Sequence, residues 1–191
     1  MLSNPLKCLI VFPMSTDIVQ REEPVLRKHA KPVPAEEMAS KRVRDIIEKM
    51  KTAMHSQKDG VAIAAPQIGE PLQIFVISGV LLKKADKTYK GNEDDLVFIN
   101  PKITKQSRDK MEVEEGCLSV RWLYGKVKRS KKVTLKAHNE KGEKLERGAS
   151  GLLAQIFQHE CDHLNGILFT DKADQVWQMT EEEIAELQGK P

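Results

Sequence analysis

The sequence has no apolar run approaching the ~20 residues needed to span a bilayer, which excludes an integral helical membrane protein. It has only three cysteines, an odd number, so it lacks the even set from which small secreted domains build a disulfide framework. That usage points to a reducing compartment and a cytoplasmic protein. A strong charge imbalance is also missing. The net charge of +3 permits weak attraction to RNA or to a ribosomal surface and argues for no specific nucleic-acid sequence. Neither internal repeats nor low-complexity tracts occur. What is present, 40% hydrophobic and 31% charged residues over 191 positions, suits one soluble domain with a sizeable core. Residues 1–17 stand apart. The apolar run Cys8–Phe12 is ended by Pro13, and no small-residue cleavage pattern follows. The stretch reads as a native extension or early strand, with a processed organellar leader as the alternative.

Chemistry concentrates in the stretch Gln158–Gly166, QHECDHLNG, which contains His159-Glu160-Cys161-Asp162-His163. Residues four apart on a helix share a face, so His159 and His163 can reach one metal ion with Glu160 beside them. A metal with imidazole ligands and an adjacent carboxylate is equipped to activate water. The surroundings predict the helix. Ser150 is the N-cap candidate, Leu152, Leu153, Ile156, Phe157 and Leu164 recur at helical spacing, and Gly166 after Asn165 is the stop. Leu152, Ile156, His159 and His163 form one stripe, so an apolar wall runs into the ligands. Cys161 falls on the far face and reads as packing.

An open catalytic site needs a third protein ligand. The extended form H-E-x-x-H-x-x-G-x-x-H fails because its last position is Phe169. Glu181, Glu182 and Glu183 are available carboxylates, but Thr180 and Glu183 have capping-box spacing, which gives that acidic trio a structural role. The remaining soft candidate is Cys117, in Glu115-Gly116-Cys117-Leu118-Ser119. EGCLS, followed about forty residues later by QHECDHLNG and preceded by GVAIAAPQ at Gly60–Gln67, resembles the peptide deformylase family. The resemblance runs from about residue 18 to residue 171, with the three motifs in the family's order and spacing.

The resemblance implies a metallo-hydrolase that removes the formyl group from N-terminal formyl-methionine of nascent polypeptides and releases formate, encoded as one catalytic domain over residues 1–191. It implies that Cys117, His159 and His163 hold one divalent ion, natively Fe(II), with Zn(II), Ni(II) or Co(II) as substitutes. Glu160 would transfer the proton, and the Gln67 side-chain amide and Leu118 backbone N–H would donate to the formyl oxygen. Val61, Ala62 and Gly116 would bind the peptide backbone, while Leu152 and Ile156 would receive the methionine side chain. Arg129 would support Asp162. The partners implied are formyl-methionyl nascent chains, with the ribosome surface near the exit as a further contact. Two residues depart from the family pattern: Ala62, where a second glycine is usual, and Arg121, where proline commonly follows EGCLS.

The expected fold is α+β, with short antiparallel sheets packed around a central metal-binding helix, an N-terminal helix and a small C-terminal helix. Pro34 reads as a first-turn proline. Val43, Ile46, Ile47, Met50 and Met54 then form a helical stripe to about Gln57. His55 reads as a solvated surface histidine. Strands are expected at Leu72–Ile77 and at Leu96–Ile99, the latter stopped by Asn100-Pro101. Between them, 79–95 reads as a surface loop or hairpin. Lys102–Met111 reads as a connection to the strand that carries EGCLS. The basic run Lys126–Lys136 reads as one half-exposed strand, with an RNA-binding stripe as the sharper alternative. A zinc peptidase using His159, His163 and one of Glu181–Glu183 is the competing enzyme reading.

Overall fold

The computed structural model describes residues 17–87 and 89–188, so the apolar run at Cys8–Phe12 lies outside the described residues. A five-stranded antiparallel sheet has the order β1-β2-β3-β6-β7, and a three-stranded one the order β4-β5-β8. The strands are β1 (Ala62–Ala64), β2 (Ile74–Ile77), β3 (Leu96–Gln106), β4 (Lys110–Gly116), β5 (Leu123–Ser130), β6 (Lys132–His138), β7 (Lys144–Ser150) and β8 (Ala173–Gln178). The helices are α1 (Lys41–His55), α2 (Gly79–Ala85), α3 (Gly151–Leu164) and α4 (Glu181–Gln188). The α+β expectation holds, with the motif helix α3 at the centre.

Apolar periodicity explains the core. Val43, Ile46, Ile47, Met50 and Met54 line one face of α1 and pack with Ile63, Ile74, Val76 and Ile99 of the larger sheet. The opposite residues of the same strands, Ala64, Phe75, Ile77 and Phe98, pack against Leu153, Ile156 and Phe157 of α3. Phe75 and Phe98 stack at 4.7 Å between ring centroids, and Phe157 meets Phe98 edge-on at 5.1 Å. Around β2 the sheet is thus buried on both faces, and β2 is apolar at all four positions for that reason.

Four local expectations need correction. Pro34 precedes a separate 3-10 turn, Ala35–Glu37, and α1 begins only at Lys41, where Ser40 Oγ accepts from Val43 N at 3.2 Å. The segment 79–95 contains α2, capped by Ser78 Oγ on Leu81 N at 3.3 Å and anchored by the fully buried Leu82. Asn100-Pro101 does not stop β3. The strand continues through a register shift, because Asn100 adopts φ 50° and its amide exchanges two 2.8 Å hydrogen bonds with the Val33 backbone. The Lys102–Met111 connection is accordingly the end of β3 and the start of β4.

The fourth correction concerns the basic run. Lys126–Lys136 is divided between β5 and β6, which belong to different sheets. The chain changes sheets at Ser130, whose N–H and carbonyl are both bound by the buried Gln158 side chain at 2.9 and 3.0 Å. One motif-helix glutamine therefore fixes where the two sheets part. Strand β8, which the sequence pattern did not announce, completes the smaller sheet by pairing with β5.

The end of α3 follows the expected Gly166 stop, at φ 74°, with Ile167 N bonding back to Asp162 O at 3.0 Å. A Cβ at Gly166 would lie 2.7 Å from the Arg27 carbonyl. Gly166→Ala is therefore expected to lose at least about 1–2 kcal/mol from the left-handed backbone alone. Equilibrium urea unfolding at equal metal content checks this, and an unchanged midpoint would contradict it.

Candidate metal centre

Two elements bring the donors together. Cys117 follows the end of β4, while His159 and His163 stand one turn apart on α3, with ring centroids 4.9 Å apart. The thiol and the two imidazoles offer ligand atoms that all lie within 4.8 Å of one another. Cys117 Sγ is 3.2 Å from His163 Nε2. Gln155 of α3 ties helix to strand by donating to the Glu114 carbonyl of β4 at 2.8 Å, which sets the height of Cys117 against the helix.

A buried charge network stands behind the ligands. Alternation along β4 turns Glu115 inward, where only 3% of it is exposed. Arg129 of β5 grips it bidentately, donating from Nε to Oε1 at 2.7 Å and from Nη2 to Oε2 at 2.8 Å. Its remaining Nη1 donates to Asp162 Oδ2 at 2.6 Å, and Lys172 reaches the other Asp162 oxygen at 2.6 Å. Arg129 thus supports Asp162 as expected, and its main partner is Glu115. His159 Nδ1 lies 2.9 Å from Glu115 Oε2, so its Nε2 is the nitrogen left to face the thiol. Burial pushes the Glu115 carboxyl up, but the hydrogen bonds from Arg129 and His159 override it and hold the group at about 2. Glu115 was not singled out from sequence, although its place two residues before Cys117 on an alternating strand was a usable signal.

Glu160 is also buried, and its Oε2 has no hydrogen-bond partner. Burial lifts this carboxyl to about 7, against the opposing pull of His159. Phe169, the position where the extended histidine motif fails, is buried and stacks over the His159 ring at 6.5 Å between centroids. Cys161 packs against the core on the far side of α3, where burial raises its thiol to about 12. Glu181–Glu183 are exposed and start α4. Glu183 Oε2 accepts from Thr180 N at 2.8 Å and Thr180 Oγ1 from Glu183 N at 3.2 Å, which is the expected capping box.

The ligands open onto a cavity of about 560 Å³. Its lining includes Val61, Ala62, Gln67, Gly116, Leu118, Leu152, Ile156 and Glu160, so the candidate site residues are brought together around one space, with His163 buried behind them. Gln67 is held in one orientation: its Oε1 accepts from Ala64 N at 2.8 Å. That points Nε2 at Ser119 Oγ, 3.1 Å away, and at Cys117 Sγ, 3.6 Å away. Ser119 was not singled out from sequence. The Tyr124 ring closes over Gly116, where an added Cβ would come within 2.9 Å of it.

The family model described as polypeptide deformylase matches residues 15–178. The chain belongs to the peptide deformylase family. Similar proteins include peptide deformylase 2 of Clostridium acetobutylicum, 43% identical over 150 residues, spanning 78% of this chain and 89% of that one. The chloroplastic peptide deformylase 1A of Solanum lycopersicum is 39% identical over 82% of this chain and 58% of its own length. Among solved structures, the peptide deformylase of Thermotoga maritima superimposes with a TM-score of 0.71 at 36% identity, covering 83% of this chain and 97% of that one. The fold and reaction therefore follow: this deformylase is a hydrolase that removes the N-terminal formyl group from nascent peptides.

The residues present fit a single divalent ion. A cysteine sulfur and two imidazoles offer ligand atoms within 4.8 Å of one another, the Nδ1 of His159 is already committed to Glu115, and an unpartnered carboxyl oxygen of Glu160 is buried on the same helix. Among the described residues no helix is long and apolar enough to cross a membrane.

Proposed function

We propose that Cys117 Sγ and the Nε2 atoms of His159 and His163 hold the ion, and that Glu160 is the proton-transfer group. The convergence of those three donors beside the orphaned Glu160 oxygen carries this reading. When bound, the ion supplies Lewis acidity toward water and the formyl carbonyl. The donor set suits Fe(II), Co(II), Ni(II) or Zn(II), and Fe(II) is proposed as the native ion. Glu160 takes a proton from the attacking water as its oxygen bonds to the formyl carbon. It then delivers a proton to the amine nitrogen as the C–N bond breaks, giving formate and a free N-terminus. A carboxyl lifted toward neutrality is suited to both transfers.

Negative charge that develops on the formyl oxygen is met by Gln67 Nε2 and the Leu118 N–H. The clamped orientation of the Gln67 amide supports this, because its donor end is already aimed into the site. The peptide backbone runs along β1. Among the described residues that strand pairs only with β2, so Ala62, with Val61 just before it, stands at an open sheet edge, and both line the same cavity as Gly116. The methionine side chain lies against Leu152 and Ile156. The whole chain, residues 1–191, acts as one catalytic domain on formyl-methionyl nascent chains near the ribosomal exit. Its setting is the cytoplasm, or an organelle of the kind named for the plant relative.

Cys117→Ala tests the assignment. Two histidines leave too few ligands, so metal content and formate release from formyl-Met peptides should fall together in anaerobically prepared protein. Full metal occupancy with unchanged turnover would overturn the ligand set.

A further inference from the structure

Arg121, one of the two departures from the family pattern, is paired across the cavity rim. Asp59 lies on the segment leading into β1, Arg121 follows Cys117 by four residues, and both line the cavity. Arg121 Nη1 donates to Asp59 Oδ2 at 2.5 Å, and Nη2 donates to Oδ1 at 2.9 Å and to Gln57 Oε1 at 3.2 Å. The guanidinium carbon also sits 4.6 Å from the centroid of the Trp122 ring, which keeps its plane in place. The two side chains are 18% and 26% exposed, so both remain open to whatever enters the cavity. The nearby charges that also line the space are the exposed Lys58, Lys84 and Glu114.

We propose that the Arg121–Asp59 pair is a charge clasp that determines which residues after methionine this deformylase prefers. The inference rests on the reading that the peptide runs along β1. An extended chain advances about 3.3 Å per residue, so the second and third residues pass the rim while the formyl group is at the ligands. Paired, the carboxylate and guanidinium cancel, and neither basic nor acidic side chains are strongly favoured there. Unpaired, Asp59 attracts a basic residue and Arg121 an acidic one. Arg121 therefore acts on substrate choice and has no part in bond breaking.

The test is steady-state kinetics on formyl-Met-Ala-Lys and formyl-Met-Ala-Asp at equal metal content, for the parent, Arg121→Ala, Asp59→Asn, the double variant and Arg121→Lys. Arg121→Ala should raise the Lys-to-Asp ratio of kcat/KM about threefold to fivefold, the scale of a partly exposed ion pair, chiefly through KM. Asp59→Asn should lower the ratio by a similar factor, and the double variant should return it to the parent value. Arg121→Lys keeps the charge and should stay within about twofold of the parent, and every shift should shrink at ~0.5 M salt. A mere strut between the rims would move both single variants in the same direction, or lower kcat equally on all peptides, and either result overturns the clasp. Turnover of formyl-Met-Ala-Ala by the parent reads the reaction itself. If that turnover is intact and the charge ratio does not respond, the clasp alone falls.

Discussion

Glu160→Gln is expected to bind metal as the parent does while turnover falls about 10²–10⁴-fold, the usual loss for a general base. The substitution preserves shape and removes only the capacity to accept a proton. Glu160 is buried with one oxygen unpartnered, and the buried carboxylates beside it are already engaged: Glu115 is held by Arg129 and His159, and Asp162 by Arg129 and Lys172. Metal analysis together with formate-release kinetics makes the measurement. Parent-like turnover at full occupancy would remove Glu160 from the mechanism, and loss of the metal would make it a structural residue instead.

Arg129→Ala is expected to have the largest effect on stability, about 3–5 kcal/mol, because it leaves buried charges without their partner. Glu115 and Arg129 are 2% and 4% exposed at their side chains, and Asp162 is 13% exposed, so water cannot easily replace the guanidinium. The same change frees Glu115 from its grip, and Glu115 orients His159. Metal affinity should therefore fall about 10–100-fold, the usual cost of disturbing a group that orients a ligand. Denaturant titration and competition with a chelator read the two effects separately.

The network also sets an acid response. Glu115 sits at about 2 in the fold against an ordinary 4.5, so its contribution is complete above pH 4.5 and is lost as the pH falls toward 2. The difference corresponds to about 3 kcal/mol at most. Metal-free parent protein should lose stability across that window, and metal-free Arg129→Ala should lose less, since its Glu115 is then held low by His159 alone. Equal acid slopes in the two proteins would show that Glu115 is not the group responsible.

Local sequence carried much of the site. The i, i+4 spacing of His159 and His163 depends only on helix geometry, and the helix was legible from its own apolar stripe and Gly166. The capping box at Thr180 and Glu183 and the α1 stripe from Val43 to Met54 were legible for the same reason: each involves residues within a few turns of one another. Cys117 as the third ligand came from the order of three motifs, because nothing local relates it to a helix that begins 34 residues later.

Tertiary structure decided what depends on partners distant along the chain. Residue type alone leaves Glu115 and Glu114 alike; packing of β4 under α3 buried one beside Arg129 and His159 and left the other exposed. The basic run 126–136 reads as one strand until Gln158, 28 residues from Ser130, takes both backbone groups at the point where the sheets part. Asn100-Pro101 looks like a stop, yet the Val33 backbone, 67 residues away, pays for the bend and the strand continues. Arg121 stood out only as a departure from the family pattern until Asp59, 62 residues away, paired with it. Side-chain periodicity reports the face a residue occupies. Which charge meets which, and whether water is excluded when they meet, is determined by the assembled fold.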